Sequence, residues 1–150
     1  MDERCAICNC ILEIGKDEYG KHTLKGRRHA SGHHYVAKRF FSSKDKKSGK
    51  KYKPIFTDSD FPWKIKPKET GTFCFECHEE LLHNPVFLPE DIKRFSKLVN
   101  SKHYDEPDKT ESREKLAKRI ELLHDVFDKG IQALLDSKEK KHQSLHKIPS

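Results

Sequence analysis

Cys74-Phe75-Glu76-Cys77-His78 is the stretch on which the fold turns. A Cys-x-x-Cys pair runs straight into a histidine and then into the acidic, leucine-bearing segment Glu79-Glu80-Leu81-Leu82. Two thiols and an imidazole are gathered within about one turn of chain, where a helix is expected to begin. A second pair, Cys5-x-x-Cys8, lies near the N-terminus, and His33-His34 falls between the two. Tetrahedral zinc takes four soft ligands, and each Cys-x-x-Cys turn supplies two at a compatible separation. Cys5, Cys8, Cys74 and Cys77 are therefore read as one four-thiolate zinc site, with a subdomain folded between its halves. A rival grouping of Cys5 and Cys8 with His29-x3-His33 spans a longer gap than a Cys2His2 finger uses, and it leaves Cys74 and Cys77 without a role. Cys10 lies too close to Cys8 for the usual knuckle geometry and is read as a bystander.

Composition agrees with a stapled fold. The 150 residues suit one domain of ordinary size with a small appendage. Only 33% of them are hydrophobic and 37% are charged, with a mean hydropathy of -0.93. So little apolar material builds a thin core, which a metal or an oligomeric contact would reinforce. Five cysteines and an N-terminus without signal-peptide character point to a reducing compartment, hence a cytoplasmic, soluble protein. No apolar run approaches the roughly 18 residues that would span a membrane.

Charge is unevenly placed. Residues 1–68 carry 17 Lys and Arg against 8 Asp and Glu, whereas residues 69–150 carry 14 against 16. A basic first half suits a polyanion, most commonly nucleic acid. The alternative is a merely solvated surface.

Taken in order, Ile11 to Ile14 reads as a strand leaving the first knuckle. A strand is expected over 32–37 with the two histidines at its start, followed by a mobile basic loop over 42–53 and an irregular packed insertion over 54–68. Thr72-Phe73 forms a short strand into Cys74, and a helix from about Phe75 to His83 is stopped by Pro85. A second helix starts at Pro89, with Glu90 and Asp91 at its positive end, and runs to about Ser101. After a linker around Pro107, a third helix is expected over 109–136, begun by Asp108 with Glu111. Its stripe of Leu116, Ile120, Leu123, Phe127 and Leu134 is broken at Gly130, against a long coiled coil. The resulting division is a core over 1–86, a helical extension over 87–136 and a disordered basic tail over 137–150.

Chemistry gathers at the histidines. A metal-ligating imidazole next to one acting as base can deprotonate water beside a bound phosphate, and histidine titrates near neutrality. Adjacent strand residues face opposite ways, so both serve one site only where the chain leaves regular geometry. His78 follows the knuckle directly, which fixes its place. In an α-helix His78 and Leu82 share a face, with His83 about 100° further round, and His83 is read as a helix cap.

The order of these motifs resembles the zinc-knuckle branch of the HNH endonucleases, the His-Me finger or ββα-metal family. The likeness covers about residues 3–84 and is carried by Gly32 to Phe41 and by Phe73 to His83. It implies an α+β, zinc-stapled ββα-metal core with C-terminal α-helices. It also implies a metal-dependent endonuclease acting on DNA. Within that resemblance His34 is the general base, while His33 and His78 hold a catalytic Mg2+ or other divalent ion. Because one such site cuts one strand, it implies a homodimer, which the C-terminal helices would serve. The family's Asn before the second Cys-x-x-Cys has no counterpart in Lys68 to Phe73, leaving Glu69, Thr70, Thr72 or a backbone carbonyl to hold the base. Lys38, Arg39, Lys46, Lys47, Lys50 and Lys51, between the halves of the site, are the expected phosphate contacts. Two other readings stand beside this one: a non-catalytic, zinc-stapled nucleic-acid-binding module, and a protein-interaction domain using the long C-terminal helix.

Overall fold

The computed structural model describes residues 2–15, 17–41, 47–49 and 53–146, with the side chains of 142–146 excepted. It is a small α+β protein whose chain divides into two compact units, Met1–Leu88 and Pro89–Ser150.

The first unit is built on an antiparallel hairpin. Strand β1 (Ala30–His34) pairs with β2 (Thr70–Cys74), in a register that sets Ala30 against Cys74 and His34 against Thr70. The strand thus begins at Ala30 and not at Gly32, so the two histidines close it instead of opening it. Ser31 and Gly32 have poor strand propensity, which hid this start. What holds them is the ladder to Phe73 and Thr72, a tertiary contact that overrides propensity. Alternation puts Ser31 and His33 on one face with Gly71 and Phe73, and puts His34 on the other with Thr70 and Thr72. Gly71 is needed there, since a Cβ would run into the Tyr35 hydroxyl and the Phe73 ring.

Ahead of β1, residues 11–14 make no strand, only single bridges from Ile11 to Arg4 and from Glu13 to His29. A four-residue helix, α1 (Leu24–Arg27), is capped by Thr23, whose hydroxyl accepts from the Gly26 amide at 3.0 Å. Tyr19, just before it, stands edge-on to Phe75 and to His29 with ring centroids at 5.2 and 5.3 Å. His29 is 9% exposed and turns its Nδ1 to the Ala30 carbonyl at 2.9 Å, apart from the cysteines.

The expected α-helix after Cys74 is a π-helix, Glu76–Leu82. A π-turn is favoured only where tertiary contacts hold it open. Here Arg27 grips Glu76 and the Tyr19 hydroxyl donates to Glu79 at 2.9 Å.

The core is thin: Cys5, Leu12, Phe73, Cys74 and Cys77 pack together, with Ala30 and Leu82 against them. The insertion between β1 and β2 has an aromatic centre of its own around Phe56, which is 3% exposed. Phe40, Phe61 and Trp63 surround it at centroid distances of 5.5, 5.6 and 5.9 Å.

The second unit holds α2 (Pro89–Ser101) and α3 (Glu114–His146). α2 ends in a Schellman arrangement: His103 adopts φ 59 and donates to the Asn100 carbonyl at 3.1 Å, while Tyr104 donates to Val99 at 3.0 Å. Between the helices, Glu106 accepts from the Thr110 amide and pairs with Arg119 at 3.2 Å. α3 begins later than expected, at Glu114, because the Ser112 hydroxyl and not Asp108 accepts the first free amide, at 3.3 Å. It also runs to His146, through residues read as a disordered tail, since Lys, Glu and Gln are good helix formers. No helix among the described residues is long and apolar enough to cross a membrane.

Candidate functional site

The first knuckle is a tight turn in which the Cys5 amide donates to Cys10 and the Asn9 amide to Cys5, at 2.9 and 3.0 Å. Asn9 sits at φ 65, a left-handed position that Asn tolerates. In each knuckle a backbone amide points at sulfur: Ile7 toward Cys5 Sγ at 3.5 Å and Cys77 toward Cys74 Sγ at 3.4 Å. Such bonds stabilise thiolate.

The hairpin then brings the second knuckle onto the first. The donor atoms of Cys5, Cys8, Cys74 and Cys77 all lie within 4.8 Å of one another, so the four can hold a metal ion. Two sulfurs bound tetrahedrally at about 2.3 Å stand about 3.8 Å apart. Cys8 Sγ and Cys74 Sγ are 3.8 Å apart. The electrostatics agree. Burial pushes the Cys74 and Cys77 thiols up. Cys5 is affected by burial in the same direction, but amides of Cys74, Cys8 and Ile7 outweigh it and bring it down to about 6. Thiols so crowded resist ionising together unless a cation shares their charge. Cys10 packs against this cluster, with burial and the Cys8 thiol pushing it up to about 12, so it stays protonated.

The second group is His33, His78 and His83, whose ring nitrogens also lie within 4.8 Å of one another. His33 comes from the end of β1, His78 from the π-helix and His83 from the residue capping it. Ring centroids are 4.9 Å apart for His33 and His78, 4.7 Å for His78 and His83, and 5.3 Å for His33 and His83. His83, read above as a cap, belongs to the cluster because the helix is widened. Residues five apart diverge by about 140° in an α-helix, and the wider π-turn brings them closer to one face.

One carboxylate orients two of the rings. Glu79 lies 3.6 Å from His78 Nδ1 and 3.3 Å from His83 Nδ1, and Ser31 Oγ also meets His78 Nδ1. With Ser31 at Nδ1 of His78 and Glu79 at Nδ1 of His83, the Nε2 of each ring would be the atom left for an ion. The Tyr19 hydroxyl beside Glu79 holds its carboxyl below the usual range. Burial lowers both His33 and His78, which favours the neutral imidazole that an ion would need. No sequence motif marks Glu79 as a partner to both rings; the spacing signal lay in the π-turn. Glu79→Gln is expected to weaken uptake of a divalent ion by the three imidazoles about 10- to 100-fold. Calorimetric titration with Mn2+ checks this, and cysteine-bound metal should stay unchanged.

His34 does not join this group. It ends β1 on the opposite face from His33, opposite Thr70 across the ladder. It is near enough for its charge to lower His33 further. Lys38 and Arg39 lie in an exposed 3-10 turn, Lys38–Phe40, and Lys47 is exposed. Lys46, Lys50 and Lys51 lie outside the described residues.

Comparison with protein-family models, with curated proteins and with solved structures finds no match for this chain.

Proposed function

We propose that the chain is a metal-dependent phosphodiesterase of the ββα-metal type, acting on DNA, with zinc as the ion of its four cysteines. The observation that carries this reading is the convergence of His33, His78 and His83 beside the strand end that holds His34. An all-thiolate site has no open position and suits a structural ion, whereas three neutral imidazoles leave positions for substrate. His33, His78 and His83 would hold a divalent ion that accepts imidazole nitrogen, such as Ni2+ or Zn2+, better than Mg2+, which prefers oxygen donors, and that ion would supply positive charge near a bound phosphate.

The chain's own residues supply the rest. His34 takes the proton of the attacking water. Thr70, paired with His34 in the ladder, is the nearest by register of the residues offered in place of the absent Asn, beside Glu69, Thr72 and the backbone carbonyls. Lys38, Arg39 and Lys47, together with Lys46, Lys50 and Lys51 in the same stretch, hold backbone phosphates without reading sequence. A cytoplasmic setting and a homodimer through the C-terminal helices belong to the same reading.

A second reading, a zinc-stapled nucleic-acid-binding module without chemistry, is favoured by the separation of His34 from the histidine group. Supercoiled plasmid distinguishes the two. Native protein should nick or linearise it with Mg2+, Mn2+ or Ni2+, and His78→Ala should not. Binding without cutting under any of these ions would decide for the second reading.

A further inference from the structure

The insertion between the strands contains a cavity that the chemistry above does not use. It measures about 600 Å³, opens to solvent, and is lined by Phe41, Phe61 and Trp63 together with Lys64, Lys66 and Glu69. Its aromatic wall is braced. Phe61 lies 5.1 Å from Phe41 and 5.3 Å from Trp63, centroid to centroid, and both Phe61 and Trp63 rest on buried Phe56. Next to these rings in the insertion, the Ile55 and Phe56 amides both donate to the Phe40 carbonyl, at 2.7 and 3.0 Å.

Three chemistries meet here. Aromatic faces stack on nucleobases of any sequence. Two exposed lining lysines, Lys64 and Lys66, carry ammonium groups that suit the phosphates flanking such a base. Two carboxylates, Asp58 and Glu69, can accept from exocyclic amino groups. The volume lies within the about 300–1,000 Å³ of small-molecule sites. Its position matters too. Glu69 directly precedes Thr70, the partner of His34, and the Glu69 carbonyl accepts from the Tyr35 amide at 3.3 Å. One lining residue of the cavity, Glu69, is therefore the chain neighbour of the strand residue that pairs with His34.

We infer that this cavity takes one unstacked nucleobase, which makes single-stranded or locally melted nucleic acid the substrate class of the histidine site. The link to cleavage rests on the phosphodiesterase reading; the binding does not. A base inside a duplex is stacked on both faces and must be extruded before it can enter.

Trp63 is the only tryptophan of the chain, so its fluorescence reports on the cavity directly. The full chain would be titrated, without added divalent ion, with a single-stranded oligodeoxynucleotide, the matching single-stranded RNA, the matching DNA duplex, and AMP. Either single strand should quench Trp63 at concentrations about tenfold below those the duplex needs. The DNA and RNA arms identify the natural strand. Replacing both exposed lysines, Lys64→Ala with Lys66→Ala, should reduce the salt slope of binding by about one for each phosphate no longer neutralised. Silence of Trp63 with every single strand would overturn the inference. So would equal quenching by duplex, preference for AMP over either strand, or a double variant with the native midpoint and salt slope. Plasmid cleavage with a silent Trp63 would remove this inference alone. Quenching without cleavage under any ion would remove the phosphodiesterase reading and leave the base site standing.

Discussion

Replacing Cys74 with serine is expected to cost the chain both its cysteine-bound metal and the folded state of its N-terminal unit. Cys74 is 2% exposed and lies at the centre of the core cluster. In that cluster Cys5, Cys74 and Cys77 are themselves donors, so Leu12 and Phe73 are its only other buried members. Fully burying a leucine or a phenylalanine contributes about 1.5–3 kcal/mol each. A structural zinc contributes on the order of 10–16 kcal/mol of apparent folding free energy. Net domain stabilities are about 5–15 kcal/mol, so a zinc bound by the four cysteines would outweigh these two side chains, leaving the Phe56 cluster and Val36 as the unit's other buried apolar groups. Elemental analysis should find about one zinc per native chain and essentially none in the variant. The thermal transition of the N-terminal unit should vanish with it. Cys10→Ser is the control: the thiol at 10 lies outside the four-donor group, and that variant should keep its metal. A Cys74→Ser protein that melts like the native one would sink the staple.

His34→Ala is expected to slow DNA cleavage by about 10²- to 10⁴-fold, the range a positioned general base contributes. Ion binding at the three imidazoles should be unaffected, because His34 faces away from them. His33→Ala should lose both, since its ring is one of the three. Single-turnover cleavage of plasmid, with ion affinity measured on the same preparations, separates the two roles. If His34→Ala cuts at the native rate, the base lies elsewhere, and His34 is only a neighbour that lowers His33.

The four-cysteine cluster was legible in the sequence because its signal is local. Each Cys-x-x-Cys pair forms its own turn, and only the joining of the pairs needed tertiary structure. Pro89 and the two acidic residues after it likewise announced α2 without help. The histidine cluster was half legible. His33 and His78 follow from their motifs, but His83 depends on a helix type with no propensity signature. Contacts from Tyr19 and Arg27, dozens of positions away in sequence, hold that turn open. Strand β1 was misplaced for a related reason: Ser31 and Gly32 extend because Phe73 and Thr72 lie opposite them. The aromatic cavity was the least visible part. Its residues alternate with proline and charge in no period, and only mutual packing around Phe56 gives them a shape.

The π-helix bears on how relatives of this chain would be recognised. With one residue fewer between His78 and His83, an ordinary α-helix would set the same two imidazoles four apart on one face. The widened turn accommodates the extra residue between the two imidazoles and still leaves them together. Proteins sharing this centre need not share its count of residues, and a pattern fixed at one interval would pass over some of them.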